Sequence, residues 1–141
     1  MASPEAIKFL KKTPLFVQFT EKELEALFGT AKVREFDAGS AIVREGDQAS
    51  VGFYLVLEGQ VEVRKGQKAI AKLGVGDYFG EMALILDAPR SADVVATQKT
   101  KCLMITRWEL RGMIGTYPDI ALKMMGELAC RLSATSQALK E

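Results

Sequence analysis

From residue 32 to residue 105 the chain is cut every few positions by turn-forming clusters: Asp37-Ala38-Gly39, Glu45-Gly46-Asp47, Glu58-Gly59, Lys65-Gly66 and Val75-Gly76-Asp77. Glycine reaches positive φ without steric cost and aspartate bonds to its own backbone, so such clusters reverse a chain. Between them lie short runs rich in β-branched and aromatic residues, at 32–36, 51–57, 60–64, 69–73, 94–97 and 101–105. Many short strands at near-regular spacing predict a closed or double-sheet antiparallel fold.

Helical signals bracket this region. Ser3-Pro4-Glu5 is a helix start, with serine as cap and proline in the first turn, leading into Ala6-Ile7-Lys8-Phe9-Leu10. Thr20 with Glu23 makes a capping box for a second short helix through Leu24, Leu27 and Phe28, ending near Gly29. Thr106 with Glu109 repeats the device, and Trp108, Leu110, Met113 and Ile114 supply an apolar side in which Trp108 is expected to pack. Tyr117-Pro118-Asp119 then restarts the chain into a long helix. Along it Ala121, Met125, Leu128, Leu132, Thr135 and Leu139 are spaced by 4, 3, 4, 3 and 4, a stripe that can form a helix–helix seam. The first turns, around Ile120 and Met124, are expected to pack on the chain's own strands. Beyond Leu128 the stripe predicts pairing of two such helices in a homodimer, and Thr135, a hydroxyl within an apolar seam, implies something polar beside it.

A chain of 141 residues with 48% hydrophobic content can bury one core, so a single domain is expected, divided as 1–30 (helices), 31–106 (strands) and 107–141 (helices). The net charge of +1 provides no bulk field for nucleic acid or an anionic membrane, so neither is an expected partner. No apolar run approaches the length of a bilayer span, and residues 2–6 lack the charged and apolar regions of a signal peptide; a cytoplasmic location is expected. Cys102 and Cys130 fit neither a CxxC pair nor a disulfide framework and are expected as buried free thiols. Histidine is absent, which removes Ser-His-Asp and Cys-His nucleophiles, HExxH zinc sites and histidine-ligated haem. No metal, cofactor or catalytic residue is expected, and the chain is read as a non-enzyme.

The segment 79–94, FGEMALILDAPRSADV, sets one carboxylate, Glu81, and one guanidinium, Arg90, nine residues apart in largely apolar surroundings. Met82-Ala83-Leu84-Ile85-Leu86 is a good helix-forming run, and Asp87-Ala88-Pro89 stops it, because the residue before a proline is pushed out of the α region. A short helix therefore opens beside Gly80-Glu81, with free N–H groups able to bind an anion. The turn at Pro89 delivers Arg90 beside that anion, where its fork suits two phosphate oxygens. Glu81 would repel a multiply charged phosphate but can accept a hydrogen bond from a sugar hydroxyl. One phosphate charge and one ribose hydroxyl describe a 3′,5′-cyclic nucleotide.

Phe79, Gly80, Glu81, Ala83, Pro89, Arg90, Ser91 and Ala92 together resemble the phosphate-binding cassette of the cyclic nucleotide-binding domain superfamily. The resemblance extends to Gly39, Gly46, Gly59 and Gly76 and implies a mainly β protein: a jelly-roll-like antiparallel β-roll with short N-terminal helices and a long C-terminal helix. It implies that Glu81 holds the ribose 2′-hydroxyl and Arg90 the cyclic phosphate. Gly80 and Ala83, with Met82 between them, would give close backbone approach and N–H contacts. Ser91 would place a hydroxyl near the phosphate or base, and Ala83, Ser91 and Ala92 are small enough to keep a cavity open. Pro118-Asp119-Ile120 and the run 131–136 further resemble the C-helix of the catabolite activator protein family. There a Thr-Ser pair contacts adenine, the serine reaching across the dimer, and an arginine meets the ribose-binding glutamate; Thr135, Ser136 and Arg131 occupy these positions. The implied ligand is cyclic AMP, with cyclic GMP as the alternative because a hydroxyl at Ser91 can also bond guanine's amine.

Two departures accompany the resemblance. The spacing from Glu81 to Arg90 is one residue shorter than in the catabolite activator protein family and equals that of the kinase and channel cassettes. The chain also ends at Glu141, where that family continues into a DNA-binding domain, so the sequence reads as a ligand-sensing domain, either part of a longer regulator or free-standing. The expected mechanism is a ligand-gated switch. Arg90 without ligand is desolvated and lacks its partner; the cyclic phosphate draws the cassette inward; Met82, Leu84 and Leu86 repack against the last helix. Two alternatives stand beside it: Glu81 and Arg90 as a purely structural ion pair, and a degenerate β-roll that acts as a protein-interaction or dimerisation module.

Overall fold

The computed structural model describes residues 4–46, 52–86, 90 and 92–140, the side chains of Met82 and of residues 135–140 excepted. Backbone packing divides the chain into two compact units, one of Thr30–Leu110 and one of Met1–Gly29 with Arg111–Glu141.

In the first unit the described residues form eight strands: β1 (Lys32–Phe36), β2 (Ala41–Val43), β3 (Gly52–Glu58), β4 (Val61–Lys65), β5 (Lys68–Leu73), β6 (Tyr78–Phe79), β7 (Asp93–Ala96) and β8 (Thr100–Thr106). They pair antiparallel into two four-stranded sheets, of order β1-β8-β3-β6 and β2-β7-β4-β5. The runs read from sequence fall on β1, β3, β4, β5, β7 and β8. Strands β2 and β6 escape that reading because three and two residues are too few for alternation to show. The turns stand where glycine punctuates the sequence, with positive φ at Gly39, Gly46, Gly59, Gly66 and Gly76. Gly59 tolerates no side chain at all, since a Cβ there would lie 2.7 Å from the Thr100 Cα.

Both sheets contribute to one core. Val43, Tyr54, Val56, Val61, Phe79, Val94 and Cys102 form a buried cluster, with Tyr54 stacked on Phe79 at 5.0 Å between ring centroids. Burial pushes the Cys102 thiol up to about 12. Strand β3 is buried on both faces from Gly52 to Val56. Tyr54 and Val56 serve the shared cluster, while Phe53 and Leu55 point the other way and face Ile105 and Leu103 across the ladder. A strand buried on both faces reads as a continuous apolar run, as GFYLVL does.

The second unit holds α1 (Pro4–Lys12), a 3-10 turn at Pro14–Phe16, α2 (Glu21–Thr30) and α4 (Asp119–Lys140); the boundary between units falls inside α3 (Arg107–Thr116). The serine cap expected at Ser3 lies outside the described residues. The Thr20–Glu23 capping box forms, with the Thr20 N–H donating to Glu23 Oε1 at 2.8 Å and the Glu23 N–H to Thr20 Oγ1 at 3.2 Å. The same Glu23 oxygen accepts from Lys123 Nζ of α4 at 2.6 Å. Ile120 and Met124 are buried, and α4 packs on the Pro14–Phe16 turn.

Two readings of single residues are corrected. Trp108 is 58% exposed, because it lies two residues, about 200° around the helix, from the buried Leu110. Cys130 is exposed as well. It follows Met124 by six residues, which turns it about 120° away from the buried face of α4.

Candidate functional site

The β unit brings Gly80, Glu81, Ala83 and Arg90 into one neighbourhood at the end of strand β6, and Ala92 lies half-buried just before β7. Strand β6 pairs with β3 through Tyr54 and Leu55, and the chain then leaves the sheet at Gly80 with φ +83°. That conformation is closed to most side chains. A Cβ here would also lie 2.7 Å from the Gly52 carbonyl oxygen and would collide with Arg90 Nη1. Gly80 is thus required twice over, by its φ and by the backbone and guanidinium pressed against it.

The helix predicted beside Gly80-Glu81 is a single 3-10 turn, Glu81–Leu84. A five-residue run is too short to sustain α-helical propagation unaided. Within the turn the Ala83 N–H donates to the Gly80 carbonyl at 3.0 Å, so this amide, assigned to the ligand from sequence, is engaged by its own backbone. Glu81 opens the turn and is half-buried. Leu84 is buried, whereas Ile85 and Leu86 are 44% and 51% exposed.

Arg90 is half-buried, and its Nη2 donates to the Gly52 carbonyl at 2.5 Å. This corrects the expectation that Arg90 lacks a partner without ligand: the first residue of β3 supplies one. The Arg90 carbonyl accepts from the Gly46 N–H at 2.8 Å, and Asp93 Oδ1 accepts from the Glu45 N–H at 2.6 Å, so the Glu45-Gly46 turn is tied to both ends of the segment that carries Arg90. Pro89 and Ser91 lie outside the described residues, as does the side chain of Met82. Arg131 is half-buried on α4, in the helical unit; Thr135 and Ser136 lie on the same helix with side chains outside the described set.

Sequence reasoning missed two participants. Gly52 acts through its carbonyl, which any residue possesses, so no side-chain signal could mark it. Arg107 is 8% exposed and donates to the carbonyls of Ala83 and Leu86. Its signal was present in the sequence: a cation in the first turn of a helix opposes the helix dipole and invites a reason.

A sequence model of the cyclic nucleotide-binding domain matches residues 33–117. The chain belongs to that family. The domain is 39% identical over 97 residues to a cAMP-dependent protein kinase regulatory subunit of Mycosarcoma maydis, covering 66% of this chain and 18% of the relative. It is 40% identical over 88 residues to a cGMP-dependent protein kinase of Plasmodium berghei, covering 62% of this chain and 10% of that one. The chain therefore spans less than a fifth of these relatives. Among solved structures, the catabolite activator protein of Thermus thermophilus superposes with a TM-score of 0.70 at 30% identity, over 91% of this chain and 62% of that one. The antiparallel strands with flanking helices match the β-roll fold expected of the family. Among the described residues no helix is long and apolar enough to cross a membrane, and no group of three His, Cys, Asp or Glu side chains could hold a metal ion.

Proposed function

We propose that this domain is a cytoplasmic sensor of a 3′,5′-cyclic nucleotide, with cyclic AMP preferred over cyclic GMP, and that it performs no catalysis itself. The observation that carries the reading is the junction of Arg90, Gly80 and the Glu81–Leu84 turn at one end of β3. Arg90 receives the cyclic phosphate, exchanging or sharing the Gly52 carbonyl for a charged acceptor, which forms the stronger hydrogen bond. Glu81 accepts the ribose 2′-hydroxyl. Gly80 and Met82 present backbone, and Ala83, Ser91 and Ala92 are small and leave room for the ligand. Arg131, Thr135 and Ser136 are assigned to the ligand on resemblance alone. Because Leu84 is already buried, Ile85 and Leu86 are, among the described cassette side chains, the ones available to change their cover when the ligand binds. A homodimer through α4 belongs to the same reading, supported by Leu122, Met125 and Leu132, which are 65%, 55% and 68% exposed.

Titration calorimetry with cyclic AMP tests the assignment. Arg90→Ala is expected to weaken binding by about 2–5 kcal/mol, the range for truncating one partner of a buried charged pair. An unchanged dissociation constant in the folded variant removes Arg90 from the site. The curated relatives are named for both nucleotides, so base preference needs its own measurement. One neutral hydrogen bond contributes about 0.5–1.5 kcal/mol, so selectivity of about tenfold or less is expected, and it disappears in a Thr135→Val, Ser136→Ala double variant. Equal or stronger binding of cyclic GMP by the wild type overturns the preference for adenine. The Arg90–Gly52 bond favours a second reading, in which Arg90 is structural and the β-roll is an interaction module. Failure to bind either nucleotide selects it.

A further inference from the structure

We propose that Arg107, which is not itself assigned a contact with the nucleotide, is a positioning residue that sets cyclic nucleotide affinity by holding the far end of the cassette turn. The inference rests on the function proposed above. Arg107 Nε and Nη2 both donate to the Ala83 carbonyl, at 3.2 and 3.1 Å, and Nη2 also donates to the Leu86 carbonyl at 2.8 Å. Carbonyls at the end of a helical turn have no partner within it, and one planar guanidinium spans both.

The location of Arg107 is costly on two counts. A cation in the first turn of α3 opposes the helix dipole, and a charge that is 8% exposed has lost most of its hydration. Nor is it needed to cap the helix. Thr106 and Glu109 already do so, with the Thr106 N–H on Glu109 Oε1 and the Glu109 N–H on Thr106 Oγ1, each at 3.2 Å. What Arg107 holds is the cassette.

Ladder register shows why this matters. The last rung between β3 and β8 pairs Gly52 with Thr106. Arg90 is anchored on the Gly52 carbonyl, and Arg107 follows Thr106 in the chain. The turn is thus suspended between two guanidiniums that share one rung of a buried ladder. Contacts run from Arg90 to Gly80, from Gly80 to Ala83 through the 3-10 bond, and from Ala83 to Arg107. Releasing the Arg107 end leaves Gly80 in place and lets the amides and Glu81 drift from the position a phosphate and ribose require.

The test compares wild type, Arg107→Gln and Arg107→Lys by calorimetry with cyclic AMP and by amide hydrogen exchange of the nucleotide-free proteins. Arg107→Gln is expected to raise the dissociation constant about tenfold or more, in line with loss of hydrogen bonds from a charged donor. Exchange at residues 83–86 is expected to rise while the amides of Tyr54 and Leu55 keep their protection. Arg107→Lys retains the charge without the fork and is expected to recover little of the affinity. A dissociation constant within about twofold of wild type in Arg107→Gln, full recovery in Arg107→Lys, or exchange that rises equally in β3 overturns the positioning role. If Arg107→Gln does not fold, Arg107→Lys alone decides. Wild type that binds neither cyclic AMP nor cyclic GMP overturns the proposed function itself, which is a different outcome from a wild type that binds and a variant that binds equally well.

Discussion

Arg90 finds its partner at Gly52, 38 residues away along the chain and at the end of a strand buried on both faces. In the helical unit Glu23 is placed first by Thr20, three residues away, and only then by Lys123, 100 residues on. The β unit positions its side chains through ladder register, in which each rung depends on the others. The helical unit uses a local cap and one long-range ion pair. Register transmits a local insult over a distance, whereas a cap confines it. Substitutions near the Gly52–Thr106 rung are therefore expected to do more harm than substitutions on the helices.

Gly80→Ala is the strongest test of that contrast. The left-handed conformation costs a side chain roughly 1–2 kcal/mol, and the contacts with Gly52 and Arg90 add to it, so a stability loss of about 2 kcal/mol or more is expected, together with weaker nucleotide binding. Gly39→Ala is the control. Its φ is +89° but nothing lies within 4 Å of the added carbon, so only the conformational part is expected. Equal urea midpoints for the two variants would show that the Gly80 neighbourhood is loosely held and would end the argument for register.

Lys123→Met addresses the helical side. Removing the donor to a buried carboxylate is expected to cost about 1–3 kcal/mol. Burial pushes the Glu23 carboxyl up, but the Lys123 ammonium and the Thr20 bonds outweigh it, and the group lies below its ordinary value. A depressed folded-state value means that the stability it contributes is present above the unfolded value, near pH 4.3, and is lost as pH falls through the folded one. The wild type is therefore expected to lose stability below about pH 4.3 more steeply than Lys123→Met. Parallel acid limbs would assign the ion pair no energetic role.

The smallest stability effect is expected for Leu132→Glu. A side chain that is 68% exposed on α4 contributes within about 0.5 kcal/mol to its own fold. Its consequence is in assembly: sedimentation is expected to show a dimer for wild type and a monomer for the variant. A wild type that is monomeric with and without cyclic AMP removes the proposed seam.

Much of this was legible before any coordinates. Both capping boxes announced themselves as a threonine followed three residues later by glutamate, a purely local pattern, and both form. The glycines of the turns were legible for the same reason, whereas the packing of Arg90 against Gly80 was not. Trp108 and Cys130 were misread because apolar character was taken for burial, although helical spacing turns each away from the buried side of its helix. Strands β2 and β6 were invisible because their formation depends on partners far away in the chain.

The sequence by itself determined where the chain turns, where its helices begin, which residue types can meet a phosphate and a ribose, and to which family the pattern points. These are matters of φ, of three- or four-residue spacing and of side-chain chemistry. Tertiary structure alone decided that Arg90 rests on the Gly52 carbonyl, that the Ala83 amide is bonded within its own turn, and that Arg107 holds the far end of that turn. Backbone carbonyls are identical at every residue, so nothing in a sequence says which of them will meet a guanidinium until ladder register brings the two together.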